Sequence, residues 1–266
     1  MVKMKEQTAY EFELTRSIRD MFIAKGLQAV LPVKPKMYAV YSKKVGLVVV
    51  DEVAGFCTIG AGPLAPPAPN AQIERMVKET TMLARQFEAR RMPIAAFLDT
   101  HEPGKAEPPY PPHCEAGSGQ ENLVPELQWL ETSPVATIIR KDVINGFVGS
   151  IDQASGRNRI LDWILENDLE QIVVVGICTD ICVLQFVQTI LSARNHAMTG
   201  KLKDVVVYEP GCATYDLPLD VARQLNLPDT AAHPQEATHH MGLYLMASSG
   251  AVIAGDMTFA DNIICA

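Results

Sequence analysis

Six short runs of this chain are apolar at nearly every position, and they restrict the folds open to it. They are VGLVVVD (45–51), PIAAFLD (93–99), VATIIR (135–140), QIVVVG (171–176), DVVVY (204–208) and AVIAG (251–255). A strand with one wet face alternates apolar and polar residues. A strand that is apolar throughout has both faces covered, as in a parallel sheet. The segments between the runs supply that cover. Asn70 is placed to cap a helix over AQIERMVKETTMLARQFEARR, whose Ile73, Met76, Val77, Thr80, Leu83, Ala84 and Phe87 fall on one stripe. Residues 157–167, 180–196, 216–225 and 234–247 read as further helices. This alternation predicts a single-domain, three-layer αβα fold around a six-stranded, mainly parallel, Rossmann-like sheet. Residues 45–256 make the domain. Residues 1–44 precede the first apolar run and read as an extension packed on its outside, and 257–266 as a C-terminal tail.

Composition excludes several classes of function. With 48% hydrophobic and 20% charged residues, the chain can bury a large core and is not a disordered segment. A net charge of −8 argues against a nucleic-acid or anionic-membrane partner. No run of 18 apolar residues is present. Glu6, Glu11, Glu13 and Asp20 are unlike a signal or transit peptide, so the expected compartment is the cytoplasm, with the nucleus as an alternative. The six cysteines, Cys57, Cys114, Cys178, Cys182, Cys212 and Cys265, form no CxxC pair. In a reducing compartment disulfides are not expected.

In an open parallel sheet, ligands bind beyond the carboxyl ends of the strands. The chemically capable residues of this chain concentrate there. Asp51 ends the first run, with Phe56 five residues on. Asp99 and His101 follow the second, with His113 further along a proline-rich loop; Lys141 follows the third; ICTDIC follows the fourth. Cys182 sits near the start of a helix, where free amides and the helix dipole favour a thiolate. With a base in reach it could act as a nucleophile, although a cysteine at such a junction is more often structural. Asp51 could take a proton from a thiol, or could simply cap a turn. Lys141 could stabilise charge between a carboxylate and a thiolate, or belong to a solvated pair. Asp99, His101 and His113 suit zinc, iron or manganese, or are chance surface groups. The adjacent His239 and His240 point in different directions from one helix and read as surface or partly packed.

Four motifs in order then resemble one family, the isochorismatase-like cysteine hydrolases, and within it the nicotinamidases, over residues 44–256. VVVDEVAGFC resembles the family's first-strand motif, DTH…PYPPHC the nicotinamidase metal loop, KDVINGF the lysine motif, and GICTDICV the nucleophile motif. The wording NGFVGS and GFCTIG is most similar to the plant nicotinamidases. The resemblance implies hydrolysis of nicotinamide to nicotinate and ammonia through a cysteine thioester, in NAD salvage. It implies Cys182 as nucleophile, Asp51 as proton acceptor and Lys141 as third member of the triad. Asp99, His101 and His113 would bind a divalent metal, zinc foremost, with iron or manganese as alternatives. Phe56 and Tyr110 would flank the pyridine ring. A cis peptide would lie between Ile177 and Cys178, and the backbone N–H groups of Cys178 and Cys182 would form the oxyanion hole. A homo-oligomer is compatible with this reading.

One departure stands out. Some bacterial nicotinamidases carry a further histidine within the metal loop, where this chain has EPGKAEPPY. Three protein ligands and waters would then hold the metal. The rival readings are a family hydrolase acting on another substrate, such as isochorismate or a ureido or carbamoyl compound, a non-catalytic binding member of the fold, and a redox sensor using Cys178 and Cys182.

Overall fold

The computed structural model describes residues 23, 25–105 and 107–260. Seven strands form one sheet: β1 Lys36–Val40, β2 Val45–Val50, β3 Ile94–Asp99, β4 Ala136–Lys141, β5 Gln171–Ile177, β6 Asp204–Ala213 and β7 Val252–Phe259. Their order is β1-β7-β6-β5-β2-β3-β4, and every neighbouring pair is parallel. The six apolar runs are β2 to β7. The seventh strand, β1, lies inside the stretch that hydropathy assigns to the N-terminal extension, so residues 1–44 do not all precede the first strand. KMYAV is a short edge strand, exposed at its first two residues, and it carries no continuous apolar signal. At the other end, β7 runs three residues past the expected domain limit.

Alternation along the strands assigns each side chain to a layer. Val48 and Val50, Ala95 and Phe97, and Val174 point to one face. There they meet the helices α2 (Arg159–Glu166), α3 (Leu184–Asn195) and α4 (Gln235–Ser248) through Trp163, Phe186, Ile190 and Met246. Phe97 meets Phe186 edge-on, with ring centroids 5.1 Å apart. Leu47 and Val49, Ala96 and Leu98, and Val173 and Val175 point to the other face, against α1 (Ala71–Ala89) and its Leu83 and Phe87. Asn70 caps α1, its side chain accepting from the backbone N–H groups of Gln72 and Ile73. Both faces of β2, β3 and β5 are therefore dry, as their composition requires.

One close approach fixes the centre of the sheet. Gly176 of β5 has φ +122°, and a Cβ there would lie 2.0 Å from the Val50 carbonyl oxygen. Only glycine lets β5 run this close to β2 at the edge where the functional groups gather. Among the described residues, no helix is long and apolar enough to cross a membrane.

Candidate active site

The carboxyl ends of β2, β3, β4 and β5 bring the predicted groups together. Asp99 and Lys141 are the last residues of neighbouring strands and pair directly in register, so their side chains leave the same face. Lys141 Nζ lies 2.9 Å from Asp99 Oδ1 and 2.8 Å from Asp51 Oδ2. Asp51 follows β2 in the left-handed backbone region, with φ 54°. Asp99 Oδ2 is 3.1 Å from Nε2 of His101 and 3.1 Å from Nε2 of His113. One lysine thus links two acids, and the second acid links two imidazoles. All five side chains are buried.

The two acids are unequal because their partners differ. Burial raises both. Lys141, His101 and His113 together overcome it at Asp99 and hold that carboxylate well below its usual range. Asp51 has only Lys141 and the neighbouring Cys182 thiol to oppose burial and the nearby Asp99 charge, and is pushed up to about 7. Burial also works against the Lys141 ammonium, but the two carboxylates outweigh it and keep it charged. The group therefore holds one permanent anion, one permanent cation and one acid that titrates near neutrality.

Cys182 lies in a π-helical turn, Thr179–Val183, between β5 and α3. It is 8% exposed. The helix start does not lower its pKa as the sequence suggests. Burial raises the thiol well above its usual range, with Lys141 pulling the other way. Cys182 thus rests as a thiol. Asp51 Oδ2 faces Lys141 Nζ, and the Cys182 thiol lies against the same carboxylate. The Ile177–Cys178 peptide is cis. Cys178 is half-buried, and the five described cysteines are free; Cys265 lies outside the described residues.

A cavity of about 890 Å³ opens above these groups, with Cys178, Cys182, Asp99 and His113 at its foot. Phe56 and Tyr110 line it, their rings 5.6 and 6.1 Å from that of His113. Asp99, His101 and His113 offer ligand atoms within 4.8 Å of one another and form a group able to hold a metal ion. The Nδ1 of His113 is 2.8 Å from the Pro111 carbonyl, which orients the ring and turns Nε2 to the cluster.

The structure adds groups that the sequence does not single out. Glu107 places Oε2 3.6 Å from His101 Nε2 and 3.8 Å from His113 Nε2. A carboxylate thus stands within the stretch that lacks a histidine, and the only signal for it is the acid in KAEPPY. Tyr215 lines the cavity and stacks on His233, with centroids 3.8 Å apart. His233 in turn holds Asp180 of the nucleophile motif at 2.7 Å. His239 and His240, expected at the surface or partly packed, are both buried, because α4 lies against the nucleophile turn and the segment around Leu31.

The activity should depend on the Asp51 titration. A protonated Asp51 cannot take a proton from the thiol, so kcat/KM is expected to rise with pH through an acid limb centred near 7. A pH profile checks this, and a flat profile from pH 5 to 8 would rule Asp51 out as the base.

An isochorismatase domain model matches residues 45–254. Nicotinamidase 1 of Arabidopsis thaliana is 53% identical over 215 residues, covering 81% of this chain and 87% of that protein. A nicotinamidase/pyrazinamidase of Mycobacterium tuberculosis is 27% identical over 168 residues, covering 60% and 84%. Among solved structures, PnC1 from L. infantum in complex with nicotinate superposes with a TM-score of 0.59 at 17% identity, covering 84% of this chain and all of that one. At that identity the likeness concerns the fold alone. With the domain model spanning strands β2 to β7 and the relative from Arabidopsis matching four-fifths of the sequence, this chain belongs to the isochorismatase domain family.

Proposed function

We propose that the chain is a nicotinamidase that hydrolyses nicotinamide to nicotinate and ammonia. The observation that carries this is the continuity of the site. Cys182, Asp99 and His113 line one cavity walled by aromatic rings, and directly behind them lie the base titrating near 7, the lysine that joins it to Asp99, and His101. The 53% identity to Nicotinamidase 1 supports the choice of substrate.

In this mechanism Asp51 accepts the Cys182 proton as Sγ attacks the carboxamide carbon. The backbone N–H groups of Cys178 and Cys182 take the developing oxyanion, a contribution of about 3 kcal/mol per donor. Asp51 returns the proton to the departing nitrogen, and ammonia leaves a thioester on Cys182. A water then attacks the thioester while Asp51 again accepts a proton; the C–S bond breaks, the acid is released as nicotinate, and Asp51 returns the proton to the Cys182 sulfur. Lys141 holds both carboxylates in place and keeps Asp51 from titrating higher still. Phe56 and Tyr110 sandwich the pyridine ring. Asp99, His101 and His113 would hold a divalent metal, zinc by the borderline character of two imidazoles and a carboxylate, and it would supply a Lewis acid at this end of the cavity. Glu107 would add a carboxylate beside those three, facing both imidazoles.

The test is ammonia release from nicotinamide by the purified protein, beside ureido and carbamoyl substrates. Release from nicotinamide alone supports the reading; release only from the others overturns it. Phe56→Ala should raise KM about tenfold through loss of ring stacking. Metal content should stay unchanged, and elemental analysis beside the kinetics separates the two effects.

A further inference from the structure

His239 has no part in the chemistry above, yet it reaches the nucleophile turn. Its Nδ1 lies 2.8 Å from Oγ1 of Thr179, the first residue of that turn, and Thr179 is fully buried. The neighbouring His240 faces elsewhere, with Nε2 at 2.8 Å from the Leu31 carbonyl. Helix α4 approaches the turn at the backbone level. A Cβ on Gly242 would lie 2.8 Å from Asp180 Cα and 2.9 Å from the Thr179 carbonyl oxygen. The second residue of the turn is held as well, since Asp180 accepts from Thr214 Oγ1 and pairs with His233, both at 2.7 Å. Within the turn, the Cys178 carbonyl accepts from the N–H groups of Ile181 and Val183. The entry to the turn is therefore anchored by side chains from outside it, and among the described residues His239 is the hydrogen-bond partner of the Thr179 hydroxyl.

The other edge of the His239 ring is turned to Glu209, with Nε2 3.6 Å from Oε1, and the residue lines a second cavity of about 500 Å³ together with Arg75, Gln72, Glu209 and Glu236. The ring thus spans from an acid at the cavity wall to the first residue of the nucleophile turn.

We propose that His239 is a positioning residue: through Thr179 it fixes the turn that aims the Cys182 thiol and its backbone N–H. This rests on the reading of Cys182 as the nucleophile. Loss of the contact should lower the rate of acylation and leave substrate binding alone. Misplacement on the order of 1 Å can cost about a hundredfold in rate.

The experiment compares wild type with His239→Ala, His239→Asn, His239→Gln, Thr179→Val and the double variant His239→Ala/Thr179→Val. It reads kcat and KM on nicotinamide and the rate of Cys182 alkylation by iodoacetamide. His239→Ala and Thr179→Val should each lower kcat about tenfold or more with KM within about twofold, and the double variant should be no worse than either. His239→Asn, which keeps a polar atom near the place of Nδ1, should recover most of the loss. His239→Gln, whose polar atoms reach the place of Nε2, should not. Imidazole added to His239→Ala should restore turnover, since the second cavity opens onto the vacated site. An unchanged kcat, additive losses in the double variant, or equal behaviour of the Asn and Gln variants would overturn the proposal. If wild type releases no ammonia from nicotinamide, the nicotinamidase reading fails, and the alkylation rates across the same variants still decide the role of His239.

Discussion

Replacing Cys182 by alanine is expected to abolish ammonia release and leave the fold in place. The proposed reaction forms its covalent bond at Cys182 Sγ, the thiol beside Asp51 whose charged form Lys141 favours. Cys178, which also lines the cavity, is pushed up to about 12 by burial, with no such help from Lys141. The structural cost is small, because one sulfur is removed from a site that already opens onto the cavity. A loss of about 1 kcal/mol is ordinary for such a truncation. Steady-state ammonia assay at high enzyme concentration checks the first part and thermal unfolding the second. Nicotinamide binding followed by calorimetry should persist, since Phe56, Tyr110 and the metal group are untouched. Turnover equal to wild type would end the thioester mechanism.

Lys141→Ala should be inactive and far less stable. The ammonium lies between two carboxylates whose side chains are 0% and 3% exposed. Without it, Asp51 has no counter-charge and Asp99 keeps only its imidazoles. Leaving buried charge unpaired in this way costs about 3–5 kcal/mol. The dependence on pH has a definite sign. Without the lysine the folded pKa values of both acids move up from where Lys141 held them, and Asp51 ends still further above its unfolded value. An acid raised in the folded state favours folding while protonated and disfavours it once ionised. The deficit relative to wild type should therefore shrink as pH falls toward the ordinary carboxylate range and widen above it. Denaturant titrations at two pH values read this directly, and a deficit independent of pH would mean that packing, not charge, is what the lysine contributes.

Much of this site was legible because its residues sit at strand ends, and strand ends are where periodicity breaks. Asp51 and Asp99 each close a continuous apolar run, so a charged residue there marks both a boundary and an edge, and Lys141 ends the mixed strand beside Asp99. What remained hidden arrives from elsewhere in the chain. Glu107 is one acid among several in a loop, and its placement over His101 and His113 depends on how that loop folds back. His239 is one of two adjacent histidines on a helix, and which one faces the nucleophile turn is decided by the packing of Gly242 against that turn. Strand β1 was missed for the opposite reason. It is an edge strand with exposed residues, and its pairing with β7 is a long-range event that local hydropathy does not record.

That pairing also bears on how the molecule is assembled. Lys36 of β1 stands opposite Ala254 of β7, and among the described residues β7 is the one strand that pairs with β1. The two are separated by roughly two hundred residues, so their closure carries a large entropic cost unless the intervening chain is already compact. Of the described strands, β1 is made first and has no partner until β7, made last, is available. Lys36–Val40 cannot seed the sheet; it can only finish it, after β2 to β6 have built the edge on which β7 is laid.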